Sequence, residues 1–209
     1  MQSTVQVGLI GMSGPCQFFA KHIVDHPKAD VAAVCDIDTA AMDALLKKNK
    51  VQAKKYTDYR DLIADNTLDA VFVLTPNHIH AEPFIQALEN AKHVLVEKPF
   101  AAGVEDIKRM VDAAQNHPEC KTHVGQCYRQ ERCYMEIADI IQRGDLGQLC
   151  HIELDYVTGY MRFWDWAART SGADPAANWR LGPVSRGMLD GGVHALDMVR
   201  HLTESEPVS

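Results

Sequence analysis

Val5-Gln6-Val7-Gly8-Leu9-Ile10-Gly11-Met12-Ser13-Gly14 is an apolar run that ends in a glycine-spaced turn. Val5, Val7, Leu9 and Ile10 predict a buried strand, and the apolar stretch over 18–24 predicts a helix after the glycines. A strand, a glycine turn and a helix in that order aim the helix's first amide N–H groups past the strand end, where an anionic pyrophosphate can lie. Against the spacing G-x-G-x-x-G, Gly11 fits, while Ser13 and Cys16 stand where glycines would be. Small residues still let backbone approach a phosphate, so the turn is expected to bind more weakly rather than not at all. Gly11, Met12, Ser13 and Gly14 are the candidate phosphate-facing residues; the alternative is an ordinary tight turn between strand and helix.

Outward from this segment, strand-like runs at 31–35, 69–74 and 93–96 alternate with helical patterns at 40–48, 84–88 and 104–114. Such alternation is the pattern of right-handed βαβ units, and it predicts a parallel sheet with helices on both faces. Residues 123–127 read as a last strand. Beyond them a helix at 133–143 ends at Gly144, and His151-Ile152-Glu153-Leu154-Asp155-Tyr156 alternates like a strand with one wet face. A Trp- and Gly-rich connection leads to a final helix from about 191 to 202. The fold class expected is α/β, a Rossmann-type parallel sheet, followed by an incomplete α+β C-terminal domain. The division expected is a dinucleotide-binding domain over 1–122 and the start of a substrate and dimerisation domain over 123–209, because one strand with its helices cannot form a sheet.

The 209 residues are 46% apolar, enough for a sizeable core, and carry a net charge of −7 without a Lys/Arg run. That balance argues against a nucleic-acid partner and against anionic membrane surfaces. The chain shows no basic-then-apolar leader pattern and no apolar run long enough to span a bilayer, so a cytoplasmic location is expected. Six scattered cysteines without a C-x-x-C pair read as free thiols, several of them buried, in a reducing compartment.

Four segments carry candidate chemistry. Asp36 ends the second apolar strand, where a carboxylate can accept from adenosine ribose hydroxyls and repel a 2′-phosphate, favouring NAD over NADP. Asp38 is a rival for that role, or the cap of the next helix. Thr75-Pro76-Asn77-His78-Ile79-His80 leaves a strand's carboxyl end, where polar groups meet a ligand; Thr75, Pro76, Asn77 and His80 are the candidates, with His80 as a loop anchor in the plainer reading. Its His-x-His pair has no carboxylate or thiol at matching spacing, so no metal is expected. Glu97-Lys98-Pro99 leaves another strand end and offers Glu97 and a lysine charge beside a nicotinamide, with Pro99 fixing the turn. Asp190-Gly191-Gly192-Val193-His194-Ala195-Leu196-Asp197 places acid, base and acid on one helical face, with glycines for close approach and a histidine suited to proton transfer near neutral pH. In the plainer reading Asp190 caps the helix and His194 packs. Trp164, Trp166 and Trp179 can stack on a sugar ring or fill a core.

In this order, the glycine turn, Thr75 to His80, Glu97-Lys98-Pro99-Phe100, Gly125-Gln126 with Tyr128-Arg129, Trp179-Arg180 and Asp190 to Asp197 resemble the glucose–fructose oxidoreductase/inositol dehydrogenase (Gfo/Idh/MocA) family. The resemblance implies an NAD(P)-dependent oxidoreductase that moves a hydride between a nicotinamide cofactor and a hydroxyl of a sugar, cyclitol or related polyol. It implies catalytic roles for Lys98, Asp190 and His194, and substrate contacts from Lys98, Tyr128, Arg129, Trp179, Asp190, His194 and Asp197. NAD is the expected cofactor and NADP the alternative. Family members carry a longer C-terminal domain with an open sheet that usually makes a homo-oligomer. Some use NAD only transiently, for glycoside cleavage. Two other readings stand beside this one: a non-catalytic dinucleotide-binding regulatory protein, and an inactive truncated fragment of such an oxidoreductase.

Overall fold

The computed structural model describes residues 4–12, 14–156 and 191–206, so Ser13, Trp164, Trp166, Trp179 and Asp190 lie outside the described residues. The chain divides into two compact units, Met1–Gly125 and Gln126–Ser209.

The first unit is built on six parallel strands, β1 (Val5–Ile10), β2 (Ala29–Cys35), β3 (Lys54–Tyr56), β4 (Ala70–Val73), β5 (His93–Val96) and β6 (Thr122–Val124), in the spatial order β3-β2-β1-β4-β5-β6. From β1 the chain winds outward through β2 to β3, then returns to lay β4 on the other side of β1. The strand order therefore reverses between β1 and β4, where Ile10 is paired with Cys35 on one side and Val73 on the other. Crevices outside the carboxyl ends of strands at such a reversal are where open α/β sheets bind ligands.

Side chains alternate between faces along each strand. Val7, Leu9, Val31 and Val34 bury one face under α1 (Gly14–Val24) and α2 (Thr39–Asn49). Ile10, Ala33, Cys35, Val71, Val73, Val94 and Val96 bury the other face, under α3 (Tyr59–Ile63), α4 (Ala81–Glu89) and α5 (Val104–Asn116). This is the expected Rossmann-type sheet with helices on both faces. None of the six cysteines is in a disulfide; Cys16, Cys35 and Cys120 are buried, and Cys127, Cys133 and Cys150 are exposed.

Two elements, β3 and α3, have no counterpart in the sequence reading. Lys54-Lys55-Tyr56 lacks an apolar signature because it forms a sheet edge, and polar side chains hold it there. Asp65 accepts from Lys54 Nζ (2.7 Å) and the Tyr56 hydroxyl (2.9 Å) through Oδ2, and from the Thr67 amide (2.9 Å) and hydroxyl (2.7 Å) through Oδ1. Lys54 and Thr67 together hold the Asp65 carboxyl well below the usual carboxylate range. A border at 122/123 would cut β6, whose residue Val124 pairs with Val96 of β5; the first unit instead runs to Gly125.

In the second unit the described helices are α6 (Arg132–Gln142) and α7 (Val193–Thr203), with a short 3-10 turn at Cys127–Gln130. The strand expected at 151–156 does not form. Their exposure alternates, but they pair with no strand among the described residues, and a strand needs a neighbour's backbone to bond. Among the described residues no helix is long and apolar enough to cross a membrane.

The Asp65 network makes a prediction with a defined pH sign. A carboxyl whose folded pKa is depressed contributes stability above its unfolded value of about 3.9, and that contribution is lost as pH falls. Asp65→Asn is expected to cost about 1–3 kcal/mol in denaturant unfolding at pH 7. The gap between variant and parent should close towards pH 2; a gap independent of pH would contradict the role given to Asp65.

Candidate functional site

The strand ends of the first unit build the site. β1 stops where the Gly11 amide donates to Cys35 O (2.9 Å), and Gly11 then turns with φ 92°. A Cβ at Gly11 would lie 2.9 Å from Leu74 C, Leu74 O and Thr75 N, so this turn admits no side chain. The next amide, of Met12, donates to Asp36 Oδ2 (2.6 Å), and α1 begins at Gly14 with its first N–H groups at this end of the sheet. Cys16, which replaces a glycine of the fingerprint, is fully buried, with its sulfur 4.0 Å from Met12 Sδ. Burial first, and the Asp36 charge second, push its thiol up to about 12. It packs in the core with Ala20 and Val31, which is why a non-glycine is accommodated there.

Asp36 also accepts from the Asp38 amide through Oδ1 (2.9 Å). Each carboxylate oxygen therefore takes one backbone N–H and retains acceptor capacity for another donor. Asp38 takes the capping role, accepting from the Ala40 and Ala41 amides at the start of α2. A cavity of about 610 Å³ opens beside these groups, lined among others by Gly11, Asp36, Ile37, Tyr59, Pro76 and Ile79. Ile37 is 91% exposed and Ile79 45%, so two apolar side chains stand in water at the rim of the cavity. Sequence reasoning missed Ile37, Tyr59 and Ile79. The signals were an isoleucine directly after the acidic strand end and an aromatic residue just past the overlooked β3. Arg60 also lines the cavity, its guanidinium 4.8 Å from the Tyr59 ring centroid and 3.3 Å from Asp58.

On the far side of β1, Thr75 and Pro76 line the same cavity. The Thr75 hydroxyl is buried without a hydrogen-bond partner among the described residues, a cost that a ligand donor or acceptor would remove. Asn77 is buried. His80 does not face the cavity: it is 1% exposed, with Nε2 2.8 Å from Thr75 O and Nδ1 3.0 Å from Pro99 O and 3.3 Å from Phe100 O. Burial pushes its imidazole below the usual value, against three carbonyls that pull it up. After β5, the Glu97 carboxylate folds back to accept from the Lys98 amide (2.8 Å), and a Cβ on Gly125 would come within 3.3 Å of Glu97 Oε1. The Lys98–Pro99 bond is cis and Lys98 is half-buried.

The second unit gathers Tyr128, Arg129, His194 and Asp197. His194 lies on the buried face of α7 with Met198 and Leu202, its ring stacked on Tyr128 (4.5 Å, 26°) and further from Tyr156 (6.1 Å, 26°). Gly191 leaves room for the Tyr156 ring, since a Cβ there would sit 2.8 Å from Tyr156 Cε1. Arg129 forks onto Asp197, Nη2 to Oδ1 at 2.6 Å and Nε to Oδ2 at 2.8 Å, and the pair holds the guanidinium above its usual value. Both residues are thus engaged with each other, tying the 3-10 turn to α7. Among the described residues no group of three or more His, Cys, Asp or Glu side chains is arranged to hold a metal ion.

Residues 5–126 match the sequence model of GFO_IDH_MocA, described as an oxidoreductase family with an NAD-binding Rossmann fold. An inositol 2-dehydrogenase of Salmonella typhimurium is 35% identical over 119 residues, 57% of this chain and 35% of that one. A glycosyl hydrolase family 109 protein of Shewanella woodyi is 30% identical over 165 residues, 74% of this chain and 35% of its own length. Among solved structures, scyllo-inositol dehydrogenase from Lactobacillus casei, with bound NAD(H) and scyllo-inositol, superposes with a TM-score of 0.81 at 23% identity, covering 98% of this chain and 57% of that one. That likeness establishes the fold. The chain spans about a third of the curated relatives and a little over half of the solved structure.

Gly11 tests the geometry directly. Gly11→Ala would combine an unfavourable φ with a clash against the Leu74 and Thr75 backbone, and is expected to cost about 1–3 kcal/mol in unfolding. Gly14 has nothing within 4 Å of its Cβ position, so Gly14→Ala should cost well under half as much. Equal costs at the two positions would contradict the described turn.

Proposed function

This chain belongs to the GFO_IDH_MocA oxidoreductase family, with its NAD-binding Rossmann fold, and from that membership we propose that it serves NAD-dependent hydride transfer at a CH–OH group of a polyol, cyclitol or sugar. The observation that carries the reading is the strand-end cavity of the first unit. It combines a side-chain-free turn at Gly11, a carboxylate at Asp36 and a buried Thr75 hydroxyl short of a partner. These features fit a dinucleotide: the turn from Gly11 through Met12 and Ser13 to Gly14, with the first N–H groups of α1 behind it, for the pyrophosphate, Asp36 for the adenosine ribose, and Thr75, Pro76 and Asn77 on the nicotinamide side. Ile37, beside Asp36, supplies apolar surface for the adenine base.

NAD, when bound, supplies the hydride acceptor. Lys98 places positive charge at the substrate oxygen, backed by Glu97, which holds the lysine's own turn. His194 takes the hydroxyl proton, and Asp190 orients or shares it. The Tyr128 stack fixes the plane of the His194 ring, so its proton-transfer nitrogen keeps one direction. Arg129 and Asp197 support this arrangement through their fork, with Tyr128 and Trp179 offered to the substrate. The proton is given to a histidine because an ordinary imidazole exchanges protons near neutral pH, whereas an ordinary ammonium does not. We further place the protein in the cytoplasm, a reducing compartment that suits six cysteines outside disulfides, and expect a homo-oligomer of the full-length family.

A second reading is favoured by one observation. The glycosyl hydrolase family 109 relative covers more of this chain than the inositol dehydrogenase does, 74% against 57%. In that reading the same residues serve a glycoside, and NAD is reduced and reoxidised within one turnover. NADH accumulating with a polyol panel supports the first reading; release of an aryl leaving group without net NADH supports the second.

Two outcomes follow for variants. Asp36 should make NAD bind more tightly than NADP, with Asp36→Ser narrowing the difference; equal affinities of the parent chain in calorimetry would sink that assignment. His194→Ala and Lys98→Met should each reduce turnover by about 10²–10⁴-fold while leaving NAD affinity within a few-fold. Loss of NAD binding in step with turnover would remove both from the chemistry.

A further inference from the structure

We propose that His80 is a positioning residue that sets the nicotinamide end of the dinucleotide site, by tying the loop after β4 to the Lys98 turn after β5; this rests on the dinucleotide reading above. The ladder between β4 and β5 ends at the pair Val73 and Val96, with the Glu97 amide donating to Val73 O. Beyond it the two loops carry different functional groups, Thr75 and Pro76 on one and Lys98 on the other. The His80 ring spans them, with Nε2 at Thr75 O (2.8 Å) and Nδ1 at Pro99 O (3.0 Å) and Phe100 O (3.3 Å). Main-chain carbonyls, not side chains, are its targets: the neutral ring donates its one N–H to one loop and meets the other in close polar contact, the doubly protonated ring donates to both, and in either form the ring bridges the two backbones.

Three features make the tie rigid. The ring is 1% exposed, where a hydrogen bond is not diluted by competing water. Its backbone sits at the junction of the 3-10 turn Asn77–Ile79 and α4, so the helix sets where the ring starts. One turn further along, Phe84 meets the Phe100 ring edge-on at 5.4 Å and 88°, a second contact from α4 to the same loop. In a fold made of two mononucleotide halves, β1 to β3 receive the adenosine and β4 to β6 the nicotinamide. His80 lies wholly in the second half. It should therefore influence the nicotinamide end and leave the adenosine end alone, a split that a general loss of stability would not produce.

The experiment compares NADH with ADP-ribose, which carries the adenosine and both phosphates but no nicotinamide, by calorimetry on the full 209-residue chain. The parent should bind both; binding neither would overturn the dinucleotide reading itself. His80→Phe, which keeps the ring and removes both nitrogens, should weaken NADH about tenfold or more and leave ADP-ribose within about twofold. His80→Gln, which keeps an N–H donor, should recover part of the loss. If ADP-ribose weakens in parallel, or if neither ligand is affected, His80 is not a nicotinamide-end positioning residue. Should His80→Phe fail to fold, imidazole ¹⁵N spectra of the parent decide. The His80 signals should shift on adding NADH and stay in place with ADP-ribose, and the same shift with both ligands overturns the proposal.

Discussion

Everything at the candidate site depends on the close approach of two strand ends, β1 and β4, at Gly11. With a Cβ there only 2.9 Å from the Leu74 carbonyl and the Thr75 nitrogen, a side chain would part the strands. The space it leaves is what allows the Met12 amide to reach Asp36 and α1 to begin at Gly14. Asp36 thereby has a structural task, and under the proposed function a second one for a ligand. Its oxygens accept the Met12 and Asp38 amides, which fixes the carboxylate before any ligand arrives. A preorganised acceptor of this kind gains more from a ribose hydroxyl than a mobile one, because its ordering has already been met by folding.

Much of the first unit was legible because its strands are apolar and its turns carry glycine, and both signals are local. Val5 to Ile10 and Asp69 to Leu74 announce themselves in any window of a few residues. Edge strand β3 does not, since Lys54 and Lys55 are held by Asp43 and Asp65, partners distant in sequence. The opposite error arose at 151–156, where His151 to Tyr156 alternate in exposure as a strand would. Alternation reports that one side of a segment is covered; a strand also needs a neighbour's backbone, and no sequence window contains that.

For the candidate site, the types of residue were legible and their partners were not. Asp36 and Thr75 stand at the cavity as their strand-end positions implied. His80, grouped with the cofactor residues in sequence, lies beneath them with its nitrogens on three carbonyls, because burial redirects a side chain that spacing alone places at the surface. Arg129 and Asp197 are far apart in sequence and carry opposite charge, and the fold closes them into a bidentate pair. Cys16, a departure from the glycine fingerprint, is harmless to the turn because it points into the core beside Met12.

A crystal structure of the chain grown with NADH tests the central claim most directly. The account predicts adenosine ribose hydroxyls within hydrogen-bond distance of the Asp36 carboxylate, the pyrophosphate over the turn at Gly11 to Gly14, and the base against Ile37. A cofactor bound away from the carboxyl ends of β1, β2 and β4, or seated there with Asp36 turned from the ribose, would contradict it.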